Sequence, residues 1–221
     1  MKVYKKGVIV LIKAVLFDLD GTLLDTNKLI YDSFCYAFKH VLNKELSKEE
    51  ITSLYGRPLN RSFPKYTDNE EVVQEMIDAY RSYNAKHHDN MCTPFNGVDE
   101  LLKTLRSRGI KVGIVTSKRK TVAIRGMELG DILKYMDVVV SPELTEKHKP
   151  DAEPALKACE ILGVNPNETI MVGDSSYDLL CGKAAGCLTC GVYYTAIKIE
   201  ELLNTNPTYM IKEPLDILNL V

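Results

Sequence analysis

Neither sign of charge is in excess in this 221-residue sequence, where 28 Lys and Arg stand against 30 Asp and Glu for a formal net charge of −2. A chain without a basic surplus has little with which to neutralise a polyphosphate backbone, so no nucleic acid partner is expected, and any cationic site must be local. Long apolar runs are lacking too. The Val8 to Leu11 stretch follows Lys2, Lys5 and Lys6 and soon meets Lys13, with no small-residue cleavage pattern after it. It falls short of the roughly 7 to 15 apolar residues of a signal core and far short of a membrane span, so no membrane association is expected. The six cysteines (Cys35, Cys92, Cys159, Cys181, Cys187, Cys190) form no disulfide framework. Cys187 and Cys190 have a redox-like spacing, but they fall in an apolar run and no second pair completes a zinc site. Reduced, buried thiols and a cytoplasmic location are the expectation. What is present, 45% hydrophobic and 26% charged residues, suits a soluble globular protein with one large domain or one domain carrying an insert.

Ala14 to Leu19 is a nearly continuous apolar run, the pattern of a strand covered on both faces of a parallel sheet. Similar runs occur at Val112 to Val115, Val138 to Val140, Thr169 to Val172 and Leu188 to Tyr193. Helical patterns lie between them: Val98 to Arg108, Thr121 to Leu129, Asp151 to Leu162 and Tyr177 to Ala185, each closed by a glycine. This alternation predicts an α/β fold with a doubly wound parallel sheet. From Asn27 to Asn90 the rhythm changes. Leu29, Ile30, Phe34, Ala37, Phe38 and Val41 keep a 3.6-residue period, as do Val72, Val73, Met76, Ile77, Tyr80 and Tyr83, and Ser47 with Glu50 forms a capping box between them. Residues 27–90 are therefore expected to form a helical insert, with 1–26 and 91–221 forming the α/β domain.

Ligands of doubly wound sheets bind beyond the carboxyl ends of the strands, and four apolar runs end in polar groups there. The first ends in Asp18-Leu19-Asp20-Gly21-Thr22. In extended chain Asp18 and Asp20 face one side while Leu19 packs away, and two carboxylates so close raise one pKa unless a cation intervenes. The second ends in Thr116-Ser117, hydroxyls at a helix start that suit a phosphate. Lys147-His148-Lys149-Pro150-Asp151 follows the third, and Gly173-Asp174-Ser175-Ser176-Tyr177-Asp178 the fourth, with Asp174 and Asp178 on one helix face. Each group alone has a plainer explanation: an Asp-Gly turn, a serine cap, a solvated cationic loop, acids beside a helix dipole. Together on one sheet edge they fit a single reaction, in which carboxylates hold a hard cation such as Mg²⁺ and a lysine with hydroxyls cradles a transferring phosphoryl group. GxxxxGK[ST] and HExxH motifs are missing, and Leu23 breaks an EF-hand register after Gly21.

The ordered motifs Asp18-Leu19-Asp20-Gly21-Thr22, Thr116-Ser117, Lys149-Pro150 and Gly173-Asp174 with Asp178 resemble the haloacid dehalogenase superfamily of phosphohydrolases over nearly the whole chain. The resemblance implies a Rossmann-like core, with the insert as a helical cap over the active site. It implies Asp18 as nucleophile and Asp20 as general acid and base, with Thr116, Ser117 and Lys149 on the phosphoryl oxygens. It also implies Mg²⁺ held by Asp18, the Asp20 backbone carbonyl and Asp174, with Asp178 acting through water or on Lys149. Asp20 argues for a phosphatase, since the dehalogenases lack that acid. Asp25-Thr26-Asn27 and Tyr80-Arg81-x-x-Asn84-x-x-His87-His88-Asp89 look like the inorganic pyrophosphatases of the superfamily, with phosphoglycolate phosphatases or other small phosphomonoester phosphatases, and then β-phosphoglucomutase-like phosphotransferases, as alternatives. The expected partner is a small phosphorylated substrate. Arg57 and His87 are its expected cap contacts, and Arg61 and His88 are further candidates. Ala152 replaces the second proline of the usual Lys-Pro-x-Pro loop, which predicts a less rigid loop around Lys149.

Overall fold

A computed structural model describes residues 3–5 and 8–221. Lys2 and Lys6, part of the basic opening stretch, lie outside the described residues. The chain begins with an antiparallel hairpin of β1 (Val3–Lys5) and β2 (Val8–Val10). β3 (Ala14–Phe17), the first of the apolar runs, is fully buried along its length. After a short antiparallel pairing of β4 (Leu24–Asp25) with β5 (Thr93–Pro94), the chain alternates α5 (Val98–Ser107), β6 (Lys111–Val115), α6 (Lys120–Leu129), β7 (Val138–Val140), α7 (Glu153–Leu162), β8 (Thr169–Gly173), α8 (Ser176–Ala185), β9 (Leu188–Val192), α9 (Ile199–Leu203) and β10 (Tyr209–Ile211).

Six strands form one parallel sheet in the order β10-β9-β8-β3-β6-β7. Period-two alternation gives each strand two buried faces. Val15, Phe17, Ile170 and Val172 pack into a core shared with Leu101, Leu105 and Met127 of α5 and α6. Ala14, Leu16 and Met171 pack the other way, against Ala155, Cys159 and Leu162 of α7 and Cys181 of α8. From β3 the order runs to β6 on one side and to β8 on the other, which opens a crevice beyond its carboxyl end.

Between β4 and β5 lie α1 (Asn27–Leu42), α2 (Lys48–Thr52), α3 (Leu59–Ser62) and α4 (Glu70–His87). Ser47 caps α2 in the expected box with Glu50. The periodic faces of α1 and α4 meet in a third core built on Phe34, Phe38, Phe63 and Met76. Its rings pack edge to face, Phe34 on Tyr80 at 4.8 Å and Phe38 on Tyr66 at 4.7 Å between centroids. The helical expectation for this stretch agrees with the observed elements. The sequence reading missed β1, β2, β4, β5 and β10, segments of two or three residues too short to show a period.

The loop after β7 holds Lys149. α7 starts two residues later than the periodicity suggested because the Asp151 carboxylate accepts from the Glu153 backbone N–H at 3.0 Å. Glu153 in turn accepts from the backbone N–H groups of Glu146 and Lys147 at 2.9 and 2.8 Å. The loop that Ala152 was expected to loosen is thus tied by a carboxylate instead of a ring.

Candidate active site

The crevice beyond β3 is a cavity of about 530 Å³, floored by the strand ends and roofed by the helical layer. Asp18, Asp20, Thr116, Ser117, Lys149, Asp174 and Asp178 all line it, as the strand-end reading predicted. Leu19, between the two leading acids, is fully buried in the sheet core. Gly21 makes the turn that follows at φ +80°, and a Cβ there would come within 2.3 Å of Asp174 Oδ2.

Lys149 sits at the centre of the floor, 3% exposed. Its Nζ donates to Asp18 Oδ1 and Asp178 Oδ1 at 2.6 Å each and to the Val115 carbonyl at 3.0 Å. Burial alone would strip its charge, but the two carboxylates outweigh that and hold it protonated, its pKa above the usual lysine range. The other oxygen of Asp178 accepts from the Ser175 backbone N–H at 3.0 Å and hydroxyl at 2.6 Å, closing the capping box that starts α8. Asp178 therefore lies directly on Lys149, one of the two arrangements expected for it.

Carboxylate oxygens of Asp18, Asp174 and Asp178 come within 4.8 Å of one another, all from buried residues. Desolvation, only partly countered by Lys149, raises Asp18 to about 7, with Asp178 and Asp20 adding to the rise. Desolvation and the neighbouring Asp178 and Asp18 charges raise Asp174 well above the carboxylate range. Three hard oxygen donors with one ammonium among them leave negative charge uncompensated, a fit for a small divalent cation.

Asp20 points away from that triad. Its Oδ1 accepts from Thr26 Oγ1 and from Lys118 Nζ, both at 2.7 Å. Desolvation works to raise its pKa, but the Lys118 charge and the two hydrogen bonds prevail and hold it below the usual value. The repulsion argument had one of the two leading acids raised; it is Asp18, because Asp20 has a cation of its own. The Asp20 carboxylate is not one of the clustered metal-site carboxylates, so a metal role for this residue rests on its backbone carbonyl alone.

Lys118 went unremarked in the sequence, though it directly follows Thr116-Ser117 and faces Asp20 across the site. Its backbone N–H donates to Thr116 Oγ1 at 3.1 Å. Ser117 does not cap α6, whose first turn has no side-chain cap. The Ser117 hydroxyl, the Ser141 hydroxyl, Asn27 Oδ1 and Arg57 Nε are buried around the cavity with no hydrogen-bond partner among the described residues. Buried polar atoms without partners in a cleft are what a polar ligand would satisfy.

Of the expected cap contacts, the structure brings only Arg57 to the cavity, its guanidinium 5.7 Å from the Tyr177 ring centroid. His87 does not line it. Its ring packs tilted against Tyr83, 4.4 Å between centroids, because the last turn of α4 carries the side chain around the helix from Asn84 and Arg81, which do face the site. Arg61 is exposed and off the cavity, and His88 is buried beside Asp89, which pairs with Arg125. All six cysteines are free, and five are buried.

No described helix is long and apolar enough to cross a membrane. The haloacid dehalogenase-like hydrolase profile matches residues 15–192, a span that takes in every motif of the cavity floor. A Clostridium perfringens protein named after the pyrophosphatase PpaX is 56% identical over 211 residues, 96% of this chain and 98% of its own. The pyrophosphatase PpaX of Halalkalibacterium halodurans is 40% identical across 95% of this chain and 97% of its own. Among solved structures, a haloacid dehalogenase-like hydrolase of Streptococcus pneumoniae superposes with a TM-score of 0.84 at 26% identity, covering 95% of this chain and 98% of that one. With its carboxylates, lysine and hydroxyls gathered at the ends of one parallel sheet, this enzyme is a phosphatase that belongs to the haloacid dehalogenase-like hydrolases.

Proposed function

We propose that the enzyme hydrolyses inorganic pyrophosphate, with Mg²⁺ as cofactor and through an aspartyl-phosphate on Asp18. The observation that carries this reading is the Lys149 ammonium bonded at 2.6 Å to both Asp18 and Asp178, beside the third carboxylate of Asp174. Asp18 and Asp174 supply carboxylate oxygens for the ion, with the Asp20 backbone carbonyl as a further donor. The bound ion would neutralise charge on the phosphoryl group and on these acids.

Asp18 attacks phosphorus, and Lys149, Thr116 and Ser117 orient the phosphoryl oxygens against it. Asp20 delivers a proton to the leaving oxygen and later takes one from the water that opens the acyl phosphate. In the ligand-free site the Lys118 contact keeps Asp20 ionised. A phosphate that takes Lys118 as its own partner frees Asp20 to hold a proton. Residues 27–90 act as a cap domain on the 1–26 and 91–221 core, and Arg57 with Lys118 supplies cationic contacts for the distal phosphate. The relatives named for pyrophosphatase PpaX support this substrate over a carbon-based monoester. Six free thiols suit a cytoplasmic enzyme.

The deciding measurement is kcat/KM for pyrophosphate and 2-phosphoglycolate with Mg²⁺ after chelator treatment, for the wild type and Arg57→Ala. Pyrophosphate should lead by at least about tenfold, and Arg57→Ala should narrow the gap. A monoester leading by that margin would overturn the pyrophosphate assignment while leaving the phosphatase intact. Full activity in chelator would remove the metal from the reading.

A further inference from the structure

Beyond β9 the chain reaches the acidic cluster from behind, with none of residues 193–198 lining the cavity. Gly191 of β9 pairs with Gly173 of β8, so the residues that follow the two strands leave the sheet side by side. Successive side chains there are fastened to three different parts of the fold. The Tyr194 hydroxyl donates to the Thr22 carbonyl at 3.1 Å, and its ring packs on Phe95 at 4.9 Å between centroids. The Thr195 hydroxyl donates to the Asp174 carbonyl at 2.8 Å. Ala196 and Ile197 pack against the core of the helical layer. Residues 194–197 thus form a strap, anchored to the turn after Asp20 on one side and to the roof on the other.

What Thr195 holds is a single peptide plane. The Asp174 carbonyl and the Ser175 N–H belong to the same rigid unit. Its carbonyl accepts from Thr195, and its N–H donates to Asp178 Oδ2 at 3.0 Å. Fixed at both ends, the plane joins the backbone of one clustered carboxylate to the side chain of another. The Ile197 N–H donates to Thr195 Oγ1 at 3.1 Å, which occupies the hydroxyl as an acceptor and leaves its proton for Asp174. Little slack exists on the far side, since a Cβ at Gly21 would come within 2.3 Å of Asp174 Oδ2.

We infer that Thr195 is a positioning residue for the metal site: it touches neither ion nor substrate, and it sets the affinity for Mg²⁺ by holding the peptide that ties Asp174 to Asp178. The inference rests on the reading above in which Asp174 supplies an oxygen to the ion. Groups that orient a ligand contribute to metal affinity although they make no bond to the metal.

The experiment reads Mg²⁺ affinity without substrate, from the rise in Tm across a Mg²⁺ titration. It then reads the Mg²⁺ concentration giving half the maximal rate, with whichever of pyrophosphate and 2-phosphoglycolate the wild type turns over. Thr195→Val keeps the shape and removes the hydroxyl. It should weaken Mg²⁺ at least about fivefold in both readouts, with kcat at saturating Mg²⁺ within about twofold of the wild type. Thr195→Ser keeps the donor and should stay within about twofold of the wild type throughout. Thr195→Ala repeats the loss with a smaller side chain, so failure of one variant to fold leaves the other to decide. Unchanged Mg²⁺ affinity in the hydroxyl-free variants would overturn the inference even if their Tm in chelator falls, because that pattern marks a bond that only braces the loop. A serine variant as weak as the valine variant would overturn it too. A wild-type Tm that ignores Mg²⁺, or a response that survives Asp174→Asn, would overturn the metal reading itself. A response lost in Asp174→Asn but unchanged in Thr195→Val would sink this inference alone.

Discussion

Replacing Lys149 by Met keeps most of the side chain's length and apolar stem while removing the ammonium that bonds two of the three clustered carboxylates. Asp18 and Asp178 each lose a 2.6 Å charge-assisted bond, and Asp174 loses a nearby positive charge. Removing one partner of a buried ion pair costs about 3–5 kcal/mol, because the remaining charge is left desolvated. For a chain of this size each kcal/mol lowers Tm by about 2–4 °C, so a drop of about 6–20 °C is expected at pH 8. The sign of its pH dependence is fixed by the same groups. Asp18 and Asp174 already have folded pKa values above their unfolded ones, and without Lys149 they rise further. The folded variant then binds more protons than the unfolded chain, so its stability improves as pH falls and the deficit should shrink markedly by pH 5.5. Thermal unfolding followed by far-ultraviolet circular dichroism suits a chain with no tryptophan. A Tm loss below about 3 °C, or one equal at the two pH values, would refute the idea that Lys149 neutralises the floor.

In chelator the wild type should itself lose stability as pH rises from about 4 to about 7, the interval between the ordinary aspartate value and the raised Asp18, and Mg²⁺ should restore most at the upper end; thermal unfolding across pH with and without metal reads this directly. Asp18→Asn should abolish turnover while leaving the fold as stable in chelator, or more so, since a poorly compensated buried charge is gone; rapid turnover by a contaminant-free preparation would dismiss Asp18 as nucleophile. Lys118→Met should raise the Asp20 pKa by removing its strongest counter-charge, moving upward the alkaline limb of the kcat/KM profile, where the acid that protonates the leaving oxygen is lost, and an unmoved limb would sever Asp20 from that role. Gly21→Ala should cost more than about 1 kcal/mol in urea unfolding, since an alanine would meet both a left-handed φ and the Asp174 carboxylate.

The sheet and the cavity floor were legible because both follow from local rules. A strand covered on both faces must be apolar at successive positions, as in Ala14 to Phe17, and its first polar residues then fall at the ligand edge. The roof was less legible. His87 and Asn84 stand only three residues apart on α4, yet one packs tilted against Tyr83 off the cavity and the other lines it, a difference that helical spacing alone does not reveal. Lys118 was hidden for a similar reason: a lysine in a loop is ordinarily a solvated charge, and only the fold brings its ammonium to Asp20, 98 positions away in sequence. β10 escaped notice because Tyr209-Met210-Ile211 lacks the β-branched run that made the other three-residue edge strand, Val138–Val140, readable.

The pairing of Leu24–Asp25 with Thr93–Pro94 means that the polypeptide departs for the helices and returns from them through a single doorway. Because the two crossings touch, the distance to be bridged is the same whatever is inserted between them, and the entropic cost of closing a longer insert grows only logarithmically. The doorway is a natural exchange point: a grafted set of helices could replace the roof while the sheet and its acids keep their register. New leaving groups could in that way be reached by recombination at two neighbouring positions, without redesign of the chemistry below.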